Sequence, residues 1–391
     1  MDRDPDSSMT SRQRLLAALD RHVPDRLPVT THHLMPWFLE HQMGGISERE
    51  FFDRFDLDAI LWTTPLRPDD GGLEHEEWRS HDQGAGHVDR WRVEREIVPD
   101  PDYATTRYRI ATGRGALSTI LQNDGRTSWV AERLIKKKAD VEIVAEIATA
   151  PLCDVDEVNR QADAFGERGL VRGAVPGFAV YGQPGCWQDA AVLYGTEALI
   201  LETYSDPAWV EELLTVLQRR KLSFLRSARG ARFDLLELGG GDASSSVISP
   251  AIFERFVAPF DAPLVAAAHE SGLRVVYHTC GGMMPLLERI ADMGPDAMET
   301  FTPSAMGGDV DLGEAKRRIG ERVCMIGGFD QFHDFVGCSP EQTRLAVRRS
   351  FEAAGEGGGY ILAPSDHFFE ADEALLHAFA EEAHACRYRR P

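Results

Sequence analysis

Val275-Val276-Tyr277-His278-Thr279-Cys280-Gly281-Gly282 is an apolar run that stops at two glycines, the pattern of a strand buried on both faces and punctuated at its end. Side chains at i and i+2 of a strand share a face, so His278 and Cys280 offer an imidazole and a thiolate to one point beyond the strand end. That is half of a zinc site. A buried histidine beside an inert core thiol is the plain alternative, and the rest of the chain has to decide between the two.

Working outward, short β-branched runs alternate with amphipathic segments whose starts and stops are well marked. Parallel strands are expected over 27–31, 57–63, 170–175, 233–238, 273–278, 297–300, 323–327 and 359–363. Helices open at Asp206-Pro207, at Ser249-Pro250 with closure near Gly272, and at Ser339-Pro340 with Gln342 at the capping-box position and an end at Gly355. Eight strands with intervening helices predict an α/β fold, a (β/α)8 TIM barrel occupying 1–391 as one domain. From about 74 to 135 the pattern changes to period two, as in Arg90-Trp91-Arg92-Val93-Glu94 and Thr106-Arg107-Tyr108-Arg109-Ile110. An antiparallel β-hairpin insertion after the second strand is expected there, placed to cover one mouth of the barrel. The neighbouring Lys136-Lys137-Lys138, flanked by Glu132, Asp140 and Glu142, reads as a solvated face.

Composition narrows the function. The 391 residues are 43% hydrophobic, enough for a large core, and 42 basic against 63 acidic residues give a net charge of −21. Such a surface repels phosphate backbones and anionic lipid, so no nucleic acid and no membrane is expected as a partner. The opening Met1-Asp2-Arg3-Asp4-Pro5-Asp6 lacks the apolar stretch of a signal peptide, and no later run is apolar enough to span a bilayer. A cytoplasmic protein is expected. The six cysteines are sparse and irregular, which suits thiols used as ligands or core fillers rather than disulfides.

In such a barrel the chemistry sits at the C-terminal ends of the strands. The residues just past each expected strand are rich in metal-competent side chains. They are His32, His33 and Trp37; Glu237 and Asp242; His278 and Cys280; Glu299; Asp330; and Asp366 with His367. Each alone could cap a loop, but together they argue for a site at one mouth. Glu237, Asp242 and His367 are candidate catalytic groups. The stretch 176–187 supplies Tyr181, Gln183 and Trp187, which suit an aromatic or alkyl ether better than an anion. With His32, His33, Trp37 and Tyr277 they form the candidate substrate-binding set.

These residues also carry a resemblance. Ile248-Ser249-Pro250-x-x-Phe253, Tyr277-His278-Thr279-Cys280-Gly281, Gly327-Gly328 and Gly358-Gly359-Tyr360-Ile361-Leu362-Ala363-Pro364-Ser365 are similar to the uroporphyrinogen decarboxylase superfamily. The resemblance is nearest to its zinc-dependent branch, the methyltransferases serving corrinoid proteins and coenzyme M, and more distantly to cobalamin-independent methionine synthase. Arg14-Leu15-Leu16-Ala17-Ala18-Leu19 and Asp25-Arg26-Leu27-Pro28-Val29 extend it over nearly the whole chain.

The resemblance implies a barrel in which a zinc ion binds a thiol, lowers its pKa and presents the thiolate to a methyl donor. His278 and Cys280 match the first two ligands. The branch's third ligand, a cysteine after the eighth strand, is replaced here by Pro364-Ser365-Asp366-His367. Asp366 substitutes by position, His367 stands next to it, and Glu299 falls where methionine synthase has a glutamate ligand; Cys324 is a further candidate. A carboxylate in place of a thiolate keeps the charge but hardens the site toward iron or manganese.

The expected activity is transfer of a methyl group from a small methylated donor, a methoxylated molecule by preference, to a thiol or to a corrinoid borne by a partner protein. A homo-oligomer is compatible with the chain. The rival is a metal-independent decarboxylase or lyase acting on a small carboxylic acid. The decarboxylase branch grips carboxylates with arginines after the first strand, and this chain has no lysine or arginine between Arg26 and Arg49. A non-catalytic binding barrel is the third reading.

Overall fold

The structure is a computed structural model and describes residues 9–67, 87–88, 91–147, 152–178 and 183–388. It is an α/β fold built on a curled parallel sheet of seven strands in sequential order. The parallel strands are β1 (Ala59–Trp62), β7 (Gly169–Ala174), β8 (Leu235–Gly239), β9 (Val275–His278), β10 (Ala297–Thr300), β11 (Cys324–Phe329) and β12 (Tyr360–Pro364). Between β1 and β7 the chain forms a separate antiparallel sheet, β2 (His87–Val88), β3 (Trp91–Val98), β4 (Ala104–Thr112), β5 (Gly115–Asn123) and β6 (Ser128–Glu132), in the order of the sequence. Lys136 and Lys138 lie beside it, paired with Glu132 and with Glu202 and Asp206 at the surface.

β8, β9, β10 and β12 are buried at every position, because both faces of a parallel sheet are covered. The helices start where their caps dictate. Asp206 accepts from Trp209 N at the start of Pro207–Ser227, and Ser339 forms a capping box with Gln342 at the start of Pro340–Ala354. The helix expected from Ser249 to Gly272 is interrupted by a π-helical turn at Phe253–Val257 before Ala258–Glu270. Pro259 has no N–H to donate, so a rung of the regular ladder is missing where the π turn hands over to the second helix, which then carries Pro263 in its interior.

The expected first strand is corrected. Only Val29 makes a parallel bridge, to Leu362. Pro28 carries no N–H, and the Val29 N–H is taken by the Asp58 side chain at 3.0 Å instead of by a neighbouring strand. The segment still touches both edges of the sheet. Thr30 N donates to Leu362 O and Leu362 N to Pro28 O, each at 2.9 Å, while Asp58 N donates to Val29 O at 2.7 Å. Among the described residues no helix is long and apolar enough to cross a membrane.

Candidate metal and substrate site

His278 ends β9, and its register partner on β10 is Glu299. The two side chains meet, with His278 Nδ1 and Glu299 Oε1 3.0 Å apart. Glu299 also accepts from Arg172, on β7, whose Nη1 reaches Oε2 at 2.9 Å and whose Nη2 bonds Oε1. The same Nη2 donates to Glu237, on β8, at 2.7 Å. Arg172 is only 1% exposed. Burial alone would raise the Glu299 pKa, but Arg172 first and His32 next hold it well below the usual carboxylate range. Burial alone would lower the His278 pKa. Hydrogen bonds with Cys280 and Glu299, and the charge of Glu237, instead lift it well above the ordinary imidazole value.

Cys280 lies just beyond β9. Its thiol sits where Gly241 has no side chain, since a Cβ there would fall 2.6 Å from Cys280 Sγ. Asp366 follows β12 and accepts from its neighbour's backbone, His367 N, at 2.7 Å. Burial would raise its pKa, but the His367 hydrogen bond and the charges of His278 and His32 hold it low. The ligand atoms of His278, Cys280 and Asp366 all lie within 4.8 Å of one another. Zinc bonds of about 2.0–2.3 Å put tetrahedral donors roughly 3.5 Å apart, so a modest contraction seats an ion with a fourth position open. Glu299 keeps Nδ1 of His278 engaged, leaving Nε2 as the nitrogen for the ion. The donor set fits zinc.

His32 sits beside this group, 7% exposed. Its Nε2 is 3.5 Å from Glu299 Oε1 and 3.9 Å from Glu237 Oε2, and its Nδ1 is 3.8 Å from Asp366 Oδ1. None of these is aligned as a hydrogen bond, and both ring nitrogens are buried without a partner. His33 stacks on Trp62 at 3.6 Å between ring centroids, and the Arg172 guanidinium lies 4.1 Å over the same indole. His33 is partly open to solvent, yet burial, then the charges of His32 and Arg172, keep its pKa far below normal.

Above these groups opens a cavity of about 620 Å³. His32, His33, Glu237, His278, Cys280, Asp366 and His367 line it, with Gln183, Gln188, Asp242, Ser244 and Ser246 on the remaining wall. Gln188 and Asp242 clasp each other, the amide donating to Oδ2 at 2.9 Å and Asp242 N donating to the amide oxygen at 2.6 Å. Burial raises the Asp242 pKa. The lining contains no lysine or arginine among the described residues.

Three expected substrate residues are placed elsewhere. Trp187 is fully buried and donates from Nε1 to Asp242 O at 3.1 Å. Tyr277 precedes His278 on β9 and so faces the opposite side of the sheet, where its hydroxyl donates to Asp261 at 2.9 Å. Trp37 stacks on His41, lies under Arg126 and is absent from the cavity lining. Tyr181 lies outside the described residues. Cys324 is in the core at the start of β11, its thiol pushed up to about 12 by burial, and is not grouped with the other candidate ligands. Two residues that organise the site, Arg172 and Trp62, were not anticipated. A lone arginine inside the apolar run 170–175 was the available signal, since a buried guanidinium demands buried carboxylates.

A model of the family described as "Uroporphyrinogen decarboxylase (URO-D)" matches residues 168–386. A uroporphyrinogen decarboxylase of Neisseria meningitidis is 28% identical over 163 residues, 40% of this chain and 43% of that protein. One from Thioalkalivibrio sulfidiphilus is 30% identical over 165 residues, with the same shares. The matched stretch thus spans less than half the length of these curated relatives. Among solved structures, a methyltransferase from Methanosarcina mazei superposes with a TM-score of 0.62 at 14% identity, over 96% of this chain and 98% of that one. The two share a fold.

Proposed function

The chain belongs to the uroporphyrinogen decarboxylase (URO-D) family, whose model covers more than half of it, and from that premise we propose that it is a metal-dependent methyltransferase. In this reading it moves a methyl group from a small methylated donor to a thiol or to a partner-borne corrinoid. The fold is then one (β/α)8 barrel domain with 28–30 as its short first strand. The supporting observation is the meeting of His278, Cys280 and Asp366 at a cavity lined by carboxylates, imidazoles, amides and hydroxyls but no lysine or arginine.

His278, Cys280 and Asp366 would hold a zinc ion, which when bound would supply the Lewis acidity that lowers the pKa of a substrate thiol. Everything else falls to the chain. Glu299 fixes the ring of His278 through Nδ1. Arg172 balances Glu299 and Glu237, so neither carboxylate has to enter the coordination sphere, and one thiolate and one carboxylate leave the divalent site near neutrality. Gln183, Gln188, Ser244 and Ser246 offer hydrogen bonds that orient a neutral, ether-like donor. Asp242, whose pKa is raised by burial, is the group assigned to give a proton to the departing oxygen, with Glu237 as the adjoining base.

The name carried by the curated relatives favours the second reading, decarboxylation of a small acid. Against it, Arg172 is already shared between two glutamates and no lysine or arginine lines the cavity among the described residues. The test is incubation of the zinc-loaded protein with a methoxylated donor and a thiol or corrinoid acceptor. A methylated acceptor without carbon dioxide, lost in Cys280→Ala, is expected. Carbon dioxide release from a small carboxylic acid, undiminished by a chelator, would replace this reading with the lyase.

A further inference from the structure

His32 lies among three carboxylates yet makes no hydrogen bond to any of them. It is nine-tenths buried and neither ring nitrogen has a hydrogen-bond partner, although a buried imidazole left unpaired is costly. The two glutamates near its Nε2 are already engaged by Arg172. On its other side, Nδ1 faces Asp366 Oδ1 at 3.8 Å. That same oxygen is 2.9 Å from Nδ1 of His367, and the ligand atoms of His32, Asp366 and His367 lie within 4.8 Å of one another. Ligands on one face of an octahedral ion, at bonds of about 2.1 Å, stand roughly 3 Å apart. The two measured separations bracket what a small closure toward an ion would give.

We propose that His32, Asp366 and His367 form a second divalent-cation site, of the hard class that iron(II) or manganese(II) occupies, sharing the Asp366 carboxylate with the His278 and Cys280 site. Two imidazoles and one carboxylate on one face, without sulfur, are the donor set that borderline-hard ions prefer. His367 is 40% exposed and gives an approach from the cavity. A carboxylate has two oxygens, and when each serves one ion the pair sits about 3.5–4 Å apart. The second site rests on the reading above only through that shared residue.

The experiment titrates cobalt(II) into chelator-stripped full-length protein, following absorption and bound metal by equilibrium dialysis. Two cobalt ions per chain are expected, one with a thiolate-to-cobalt charge-transfer band and one without. His367→Ala and His32→Asn weaken the band-free ion by at least about tenfold and leave the thiolate band in place. Cys280→Ser does the reverse. Because His367 is partly exposed, its variant keeps the test decisive even if His32→Asn fails to fold. Saturation at one cobalt per chain, or a second ion bound equally well in both histidine variants, overturns the proposal. Loss of the thiolate band and of methyl transfer in Cys280→Ser, with the His367-dependent ion retained, supports it. Absence of methyl transfer in the wild type, with that same ion present, refutes the methyl-transfer reading and leaves this site standing.

Discussion

Replacing Arg172 by methionine keeps most of the apolar stem and removes the guanidinium shared by Glu237 and Glu299. Adding the lost charge-assisted bonds at about 1.5–3 kcal/mol each would overshoot, because a stranded carboxylate has another course and takes up a proton. For a glutamate with an ordinary pKa near 4.3, that uptake costs about 3.7 kcal/mol at pH 7. The cap per carboxylate agrees with the loss of about 3–5 kcal/mol seen when one partner of a buried pair is removed. Metal-free Arg172→Met is therefore expected to lose about 3–5 kcal/mol in urea unfolding at pH 7, and Glu299→Gln in that background is expected to regain much of it.

The pH dependence has a definite sign. In the wild type the Glu299 pKa is depressed, burial being outweighed by Arg172 and His32, so its contribution is complete between pH 5 and 7 and is lost only on further acidification. In the variant the folded value of Glu299, which unlike Glu237 is sealed off from the cavity, rises above the unfolded one, and stability is lost as pH increases by about 1.4 kcal/mol per unit. The gap between the two proteins should thus narrow by about 2.7 kcal/mol on going from pH 7 to 5. A loss under about 1 kcal/mol, the range of an exposed ion pair, a gap indifferent to pH, or no rescue by Glu299→Gln would refute the reasoning.

Two further outcomes follow from local geometry. Gly241→Ala places a Cβ 2.6 Å from Cys280 Sγ, and the displaced thiol should weaken divalent-metal binding by about tenfold or more in a chelator competition; unchanged affinity would remove Cys280 from the ligand set. Asp334, raised to about 6 by burial and then by Asp330, stabilises the fold fully below the unfolded carboxylate pKa and progressively less up to about pH 6. Asp334→Asn should accordingly flatten that part of a stability-against-pH profile, and an identical slope in both proteins would show that the carboxyl is not perturbed.

Most of the parallel sheet was legible because its signals are local. The runs over 235–239, 275–278, 297–300 and 360–364 are apolar and end in turn residues, and Asp206 and Ser339 announce the helices they cap. The pairing of His278 with Cys280 needed only same-face alternation, whereas Asp366, on a strand three removed from β9, was reached through the resemblance to the zinc-dependent methyltransferases. What escaped depends on partners far away in the chain. Val29 fails to extend its strand because Asp58, 29 residues on, captures its N–H. Arg172 matters through Glu299, 127 residues away. Tyr277 is a different case, since its alternation with His278 already put it on the opposite face.

The segment at 28–30 has a consequence for how the molecule yields. It is tied to Leu362 on one side and Asp58 on the other by a handful of hydrogen bonds, far fewer than join the long ladders of β11 and β12, so local opening costs fewer backbone bonds there than across that ladder. His32 lies two residues beyond Thr30, and Asp366 two beyond Pro364 at the end of β12. A cation gripped by both would work as a staple across the seam. Its binding free energy would add to the work of parting the two edges, and amide exchange along 29–33 would slow in step with metal concentration while β8 to β10 kept their own rate.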